Sequence, residues 1–246
     1  MSKVLVIPDS HLKIDVIENG IKLANKFKVD SIVLLGDYLD DFGAVDNDYF
    51  EMIKYLKNLV RRDHRVIALL GNHEISYLGF PCSGYKSSVA EFVNNSLKDD
   101  HRFYLAVGID GVLYSHAGVC VSWLKDNNVI TQNVFRYQIT KQNGANVLEK
   151  AISKIPSFSI FAQAGKARGG KLNPSPLWAD ATELIMDAVP NVKQVVGHSP
   201  LKQIEKVGNC WFTDVFSNGN ISDEYLLVDE GNPEIKHFNQ EFPDEK

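Results

Sequence analysis

Segments typical of strands alternate with segments typical of helices along the first third of the chain, and this alternation limits the possible folds more than any other feature. Short runs rich in β-branched and other apolar residues occupy 4–7, 31–35 and 65–70. Apolar residues at helical spacing fill the intervals, at 14–27 and 50–60. This order is typical of βαβ units. We therefore predict an α/β fold whose largely parallel sheet is covered on both faces.

The pattern changes in the second half. Two strand-like runs, 103–107 and 112–114, flank an Asp-Gly pair that favours a tight hairpin turn. Further strands are predicted at 194–197, 210–215 and 224–228, whereas 121–192 is more polar and predicts helices and loops. The last residues, 238–246, predict a frayed acidic tail. Since no repeat or long linker divides the chain, we expect a single domain over residues 1–246.

Composition excludes several classes of protein. The formal net charge of -5 argues against general binding of nucleic acid. Cys82, Cys120 and Cys210 stand isolated in the sequence, which predicts no disulfide framework and a reducing compartment. No segment approaches the roughly 20 apolar residues of a membrane span, and the N-terminal apolar run is too short for a signal peptide. We expect a cytoplasmic protein without a membrane partner.

Most of the predicted strands end in polar residues that can perform chemistry. They are Asp9, His11, Asp37, Asp40, Asn72, His73, His116 and His198. In an open α/β sheet the carboxyl ends of the strands line one crevice, so these side chains should converge. One such residue alone is usually a turn residue, a helix cap or a hydrogen-bonded core histidine. Four of seven histidines at strand ends are harder to explain, because burying so many polar groups without a metal would be unfavourable.

The types of these residues indicate which metals they could bind. Carboxylate and imidazole donors without thiolates suit Mn²⁺, Fe or Zn²⁺ better than a structural zinc site rich in cysteine. The set also exceeds what one ion needs. It suits two ions about 4 Å apart, bridged by a carboxylate and a water molecule.

Five motifs, DSH, GDYLD, GNHE, SHAG and GHSP, resemble in type and order those of the calcineurin-like metallophosphoesterases. The match runs from Asp9 to His198. GNHE, together with a GHSP that has no second histidine two residues on, most resembles the phosphoprotein phosphatase branch and its small bacterial and phage members. The resemblance implies a sandwich of two mixed β-sheets flanked by helices, with a helical and loop insertion around 121–192. It also implies two divalent ions, Mn²⁺ with Fe or Zn²⁺ as alternatives.

The same resemblance implies a role for each site residue. Six residues would bind metal: Asp9 and His11 one ion, Asn72, His116 and His198 the other, and Asp37 both. His73 would be the general acid beside the leaving oxygen, and Asp40 would orient and charge its ring. Asn72 would also contact the substrate phosphate. Glu74 is expected to fix the loop by a hydrogen bond.

The chain departs from the family pattern directly after GDYLD. Phosphoprotein phosphatases continue with an arginine that binds the substrate phosphate, whereas Asp41 and Phe42 follow here. Arg168, in KARGGKLNPSPLWAD, is a candidate substitute, because this segment resembles one near the active site of some small bacterial and phage phosphatases. A solvated surface loop is the alternative that stays open for Arg168.

Taken together, these features predict a dinuclear phosphatase that hydrolyses phosphomonoesters through attack by a metal-bridging hydroxide. Phosphoserine or phosphothreonine protein is the substrate that the family suggests, and the phosphorylated substrate is the one partner predicted. Hydrolysis of a dinucleoside polyphosphate or another phosphodiester remains an alternative. A binding module that has lost catalysis is another, although such a module should have lost ligands that this chain retains.

Overall fold

The computed structural model describes residues 2–130, 143–155, 157–220 and 222–245, and their strands form two sheets. The first sheet contains β1 (Lys3–Ile7), β2 (Ser31–Leu34), β3 (Val66–Leu69), β4 (Phe103–Tyr104), β10 (Glu224–Asp229) and β11 (Asn232–His237). The second contains β5 (Ala106–Ile109), β6 (Val112–Ser115), β7 (Lys193–Val196), β8 (Glu205–Val207) and β9 (Cys210–Phe212).

Both sheets are mixed. In the first, β1 to β4 run parallel in that order, and β10 pairs antiparallel with β1 and with β11. In the second, β6, β7 and β9 run parallel, while β5 and β8 pair antiparallel at the two edges. Buried side chains of both sheets belong to one continuous hydrophobic core. The predicted α/β class with two mixed sheets is therefore confirmed.

Helices separate the strands much as the periodicity predicts. They span Ile14–Phe27, Asp46–Arg62, Asn72–Ser76, Ala90–Leu97, Val121–Asp126, Gly144–Ile152, Ala181–Asp187 and Phe238–Glu241. Between 121 and 192 the described residues form helices, 3₁₀ turns and loops, as predicted, although 131–142 and 156 of that interval lie outside the described residues. The predicted helical pattern over 50–60 starts at Phe50, but in Asp46–Arg62 this residue is 37% exposed and Tyr49 is buried in its place. No helix among the described residues combines the length and apolar character needed to cross a bilayer.

The run 103–107 is not one strand, as predicted, but two. Tyr104 pairs with Leu69 in the first sheet, whereas Ala106 pairs with Ser115 in the second. An apolar run indicates that a strand is buried but does not indicate which strand it pairs with. The change of sheet between Tyr104 and Ala106 could therefore not be predicted from the sequence. The hairpin prediction that follows is confirmed, since Asp110 and Gly111 have φ of 46° and 77°, the left-handed pair of a tight turn.

The C-terminal segment is not frayed between 238 and 245, which corrects the sequence-based prediction. Phe238–Glu241 forms a short helix, and Phe238 is buried. Its ring stacks on that of Phe242 at a centroid distance of 4.9 Å. The acidic residues of this segment predicted a solvated tail. The packing of the two aromatic rings orders the segment instead, because aromatic side chains contribute a large apolar area.

Candidate metal centre and active site

The strand ends singled out in the sequence meet at one place. Four of the predicted ligand residues line a cavity of about 200 Å³: His11, Asp37, Asn72 and His198. Asp9 and His116 are fully buried beside them. Their ligand atoms fall into two groups, Asp9 with His11 and Asp37, and Asp37 with His116 and His198, each within 4.8 Å. Asp37 belongs to both groups, which is the geometry that a bridging carboxylate requires.

The ring of His116 provides the clearest test of whether a cation fits. Its Nδ1 donates to the carbonyl oxygen of Leu35 at 3.0 Å, so in the neutral ring Nε2 carries a lone pair. That Nε2 lies 2.9 Å from Asn72 Oδ1, 3.1 Å from His198 Nδ1 and 3.3 Å from Asp37 Oδ2. Lone pairs facing one another repel unless a cation lies between them. The four residues therefore fit a divalent metal.

His11 is held in a similar way. Its Nδ1 lies 2.8 Å from the carbonyl oxygen of Asp40 and 3.1 Å from that of Leu39, and both can only accept a hydrogen bond. The proton on Nδ1 leaves Nε2 free as the ligand atom. Fixing the tautomer through the second nitrogen is usual for histidines that bind metal.

Electrostatics in the cavity also favour a cation. Burial raises the pKa of Asp9 well above its usual range, and the nearby carboxylates of Asp214 and Asp37 raise it further. Burial would also raise the pKa of Asp37, but His116 and His73 hold it well below its usual range. Burial lowers the pKa of His198, which keeps its ring neutral as metal binding requires.

Two glycines allow the carboxylates to approach neighbouring loops closely. A Cβ at Gly71 would collide with the carboxylate of Asp37, and a Cβ at Gly197 would collide with that of Asp9. This explains the glycine that opens both GNHE and GHSP.

His73 and Asp40 form a hydrogen-bonded pair at the rim. His73 Nδ1 lies 2.7 Å from Asp40 Oδ2, and Asp40 Oδ1 accepts from the hydroxyls of Tyr49 at 2.9 Å and Tyr77 at 2.6 Å. Burial alone would lower the pKa of His73, but the carboxylates of Asp37 and Asp40 outweigh it and raise the pKa to about 9. These carboxylates favour the protonated ring, which can donate from Nε2.

Glu74 ties the loop after β2 to the loop after β3. Its Oε2 accepts from the backbone N–H groups of Asp37 at 2.8 Å and Gly71 at 2.9 Å. Its Oε1 accepts from those of Tyr38 at 2.9 Å and Leu39 at 3.2 Å. The expected loop-fixing hydrogen bond is thus confirmed, and it is fourfold. These four backbone N–H donors to the two carboxylate oxygens fix the loop that carries Asp37.

Replacing Glu74 by glutamine should lower the free energy of unfolding by about 2–4 kcal/mol, because the amide NH₂ would face two buried N–H donors. Urea denaturation in the presence of a chelator measures this free energy without a contribution from bound metal. Glu51→Gln, on the exposed face of Asp46–Arg62, is the matched control. Equal midpoints and slopes for the two variants would show that Glu74 does not stabilise the loops.

Arg168 lies beside the predicted metal ligands and not in a detached loop. Its Nε is 3.1 Å from Asp180 Oδ2, and Nη2 donates to the carbonyl oxygen of His198 and to Ser199 Oγ, both at 3.2 Å. The side chain is still 29% exposed. It lines the cavity of about 200 Å³ described above, called the metal-ligand cavity from here on. It therefore presents a fixed guanidinium beside the ligands.

Several residues that line the cavity were not predicted from the sequence, and two of them, Asp214 and Cys82, affect the predicted ligands. Asp214, buried after the end of β9, lines the cavity together with His11 and Asp37. Asp214 is a residue at a strand end like the others, but the predicted strand 210–215 runs past it, whereas the observed strand ends at Phe212. Cys82 Sγ lies 3.9 Å from Asn72 Nδ2, a contact that turns Oδ1 of the amide toward His116. An isolated cysteine in a loop gave no signal of this contact.

Comparisons with known proteins identify the family and the fold. A family model described as calcineurin-like phosphoesterase matches residues 2–214. A cold-active protein-tyrosine phosphatase of a psychrophilic Shewanella species has a similar structure, with TM-score 0.59 and 19% identity over 97% of this chain and 78% of that one. No curated protein matches the sequence significantly.

Two further solved structures share the fold. A serine/threonine phosphatase of Saccharomyces cerevisiae has TM-score 0.52 and 15% identity, covering 95% of this chain and 78% of that one. A candidate diadenosine tetraphosphatase has TM-score 0.53 and 17% identity, covering 96% of this chain and 93% of that one. Identities this low demonstrate a common fold and leave the substrate open.

Proposed function

The chain belongs to the calcineurin-like phosphoesterase family and is a phosphoric ester hydrolase, and from that premise we propose that it is a dinuclear metal-dependent phosphatase acting on phosphomonoesters. One observation supports this most: Asp37 is shared by two groups of buried ligand atoms. A pair of adjacent cations is the arrangement that phosphoester hydrolysis uses. Every predicted ligand is present, which argues against a binding module that has lost catalysis.

The proposed metal ligands are those of the two groups. Asp9 and His11 would hold one ion, Asn72, His116 and His198 the other, and Asp37 both. When bound, the two cations neutralise the charge of the phosphate and lower the pKa of a water that serves as nucleophile. We propose Mn²⁺, with Fe or Zn²⁺ as alternatives, because the donors are carboxylate, amide and imidazole.

The catalytic role of the protein lies in proton transfer and positioning. His73 holds a proton on Nε2 at the cavity wall, and we propose that it donates this proton to the leaving oxygen. Asp40 keeps the proton on Nδ1 and fixes the ring, since its own carboxylate is held by Tyr49 and Tyr77. Asn72, at the first position of its helix, is proposed to contact the phosphate as well.

Arg168 is proposed to take the place of the missing arginine after Asp40 in binding the phosphate. Arg168→Ala should raise KM for a phosphomonoester about tenfold, since a hydrogen bond to a charged group is lost. Steady-state kinetics with p-nitrophenyl phosphate measure the change. Lys166→Ala, on the same 3₁₀ turn but exposed, controls for the loop itself. Identical KM values for the wild type and Arg168→Ala would remove this assignment.

A panel of substrates with Mn²⁺ tests the proposed function. It contains p-nitrophenyl phosphate, its bis ester, a phosphopeptide and diadenosine tetraphosphate. We expect the monoesters to have the highest kcat/KM. The fold shared with a candidate diadenosine tetraphosphatase makes that substrate the main competitor, and a preference for it or for the bis ester would overturn the monoesterase proposal.

The proposed setting is the cytoplasm. Cys82, Cys120 and Cys210 form no disulfide, which suits a reducing compartment. The proposed partner is the phosphorylated substrate, either a phosphoprotein or a small phosphoester. The net charge of -5 does not favour nucleic acid.

A further inference from the structure

An aromatic side chain stands free beside the active site. Phe42 follows Asp40 by two residues, and its side chain is 98% exposed. The turn that carries it is fixed, because Phe42 N donates to Asp41 Oδ1 at 2.8 Å and Ala44 N donates to the Asp41 carbonyl oxygen at 3.3 Å. Single exposed apolar residues are common and need no explanation on their own. Phe42 differs from such residues because it lines the same cavity as His73 and Asp40.

A second cavity, of about 350 Å³, adjoins the metal-ligand cavity. Its lining includes Asp40, Asp41, Phe42, His73, Gly84 and Arg168. It shares five residues with the metal-ligand cavity, among them His11, His73 and Arg168. The general acid and the proposed phosphate ligand therefore lie where the two cavities meet, and Phe42 lies in the wall of the outer one.

The leaving group of the substrate must extend into this outer cavity. His73 donates its proton to the leaving oxygen, so the group attached to that oxygen continues past His73 and away from the metal ligands. The space is sufficient for a ring, since a cavity of about 150 Å³ can hold benzene. Gly84 also lines this cavity, and a Cβ there would crowd the His73–Asp40 pair, at 3.1 Å from Asp40 Cβ and 3.3 Å from His73 Cε1.

Charge decides which kind of group suits the outer cavity. The exposed carboxylate of Asp41 lies in the same wall as Phe42. Arg168 and His73 lie where the two cavities meet and can attract the phosphate being cleaved, whereas a second phosphate or an acidic side chain beside Phe42 would meet the carboxylate of Asp41. An uncharged ring instead can stack on Phe42, and aromatic pairs of this kind are favourable beyond the area that they bury.

We infer that Phe42 forms a subsite for an uncharged aryl leaving group, so that the enzyme prefers aryl over alkyl phosphomonoesters. The inference rests on the proposed phosphomonoesterase function and adds its substrate class. The ring could belong to a phosphotyrosine side chain or to a small phenyl phosphate. Both share the same chemistry at the subsite.

The test compares wild type, Phe42→Ala and Phe42→Tyr, all loaded with Mn²⁺, on three substrates. These are phenyl phosphate, a phosphotyrosine peptide and the same peptide with phosphoserine. Comparing each variant with the wild type on one substrate cancels differences in leaving-group reactivity. Met186→Ala, which removes a side chain that is 85% exposed outside this cavity, is the matched control.

Phe42→Ala should lower kcat/KM about tenfold on both aryl substrates and less than about twofold on the phosphoserine peptide, while Phe42→Tyr retains the wild-type value. An equal loss on all three substrates, or no loss, overturns the inference and leaves the proposed function standing. A loss on the phosphotyrosine peptide alone also overturns it, because phenyl phosphate carries the same ring. If the wild type hydrolyses none of the three, the proposed function fails and the aryl subsite fails with it.

Discussion

Replacing His73 by asparagine should lower kcat for a phosphomonoester by about 100- to 1000-fold and leave the metal content unchanged. The ring is the proposed general acid and is not one of the ligands, so its loss should slow proton transfer without releasing an ion. Asparagine can still bond Asp40, and the backbone N–H of residue 73 keeps its 3.0 Å hydrogen bond to Asp37 Oδ1. The measurements are turnover and metal content of the same preparation.

The dependence on the leaving group separates acid catalysis from a general loss of structure. p-Nitrophenol departs without much help from an acid, whereas the serine alkoxide of a phosphoserine peptide needs a proton. The loss in His73→Asn should therefore be larger on the peptide than on p-nitrophenyl phosphate. His64→Asn, at an exposed position, should behave as the wild type. A variant that loses metal, or that loses the same factor on both substrates, would contradict the acid assignment.

Asp37→Asn should release both ions and lower kcat/KM by about 1000-fold or more, since the metals supply several kcal/mol of charge stabilisation in the transition state. No other residue belongs to both groups of ligand atoms among the described residues. The substitution suits the backbone, because Asp37 has φ of 49° and asparagine tolerates that region. Its Oδ1 can also continue to accept from the N–H of His73.

Metal content per chain, measured after dialysis against a limiting concentration of Mn²⁺, gives the direct readout for this variant. Asp110→Asn is the control, since it makes the same substitution at φ of 46° in the surface hairpin. It should keep the wild-type stoichiometry. If Asp37→Asn also keeps two ions with wild-type affinity, the shared-carboxylate assignment is wrong.

Much of the site could be predicted from the sequence because parallel strands deliver their carboxyl ends to one edge. Asp9, Asp37 and His198 are far apart in the chain, yet each follows a strand of apolar residues whose end is easy to locate. Placing strands was therefore enough to bring the ligands together. The chemistry of the set then indicated two cations without any knowledge of the distances.

The parts that could not be predicted depend on contacts between distant segments. Tyr49 and Tyr77 both hold Asp40, but each lies in an ordinary apolar pattern, and nothing local marks its hydroxyl as buried beside a carboxylate. Asp214 was hidden by an error of a few residues in a strand boundary. Phe42 and Gly84 line the same cavity although they come from different loops. The sequence does not show that these loops meet, so the position of Phe42 could not be predicted.

The two-ion site itself can be tested most directly by crystallography with anomalous scattering at the manganese edge, on crystals grown with Mn²⁺. We expect two peaks about 4 Å apart, one beside Asp9 and His11, the other beside Asn72, His116 and His198, with Asp37 in contact with both. A single peak, or two peaks that Asp37 does not join, would contradict it.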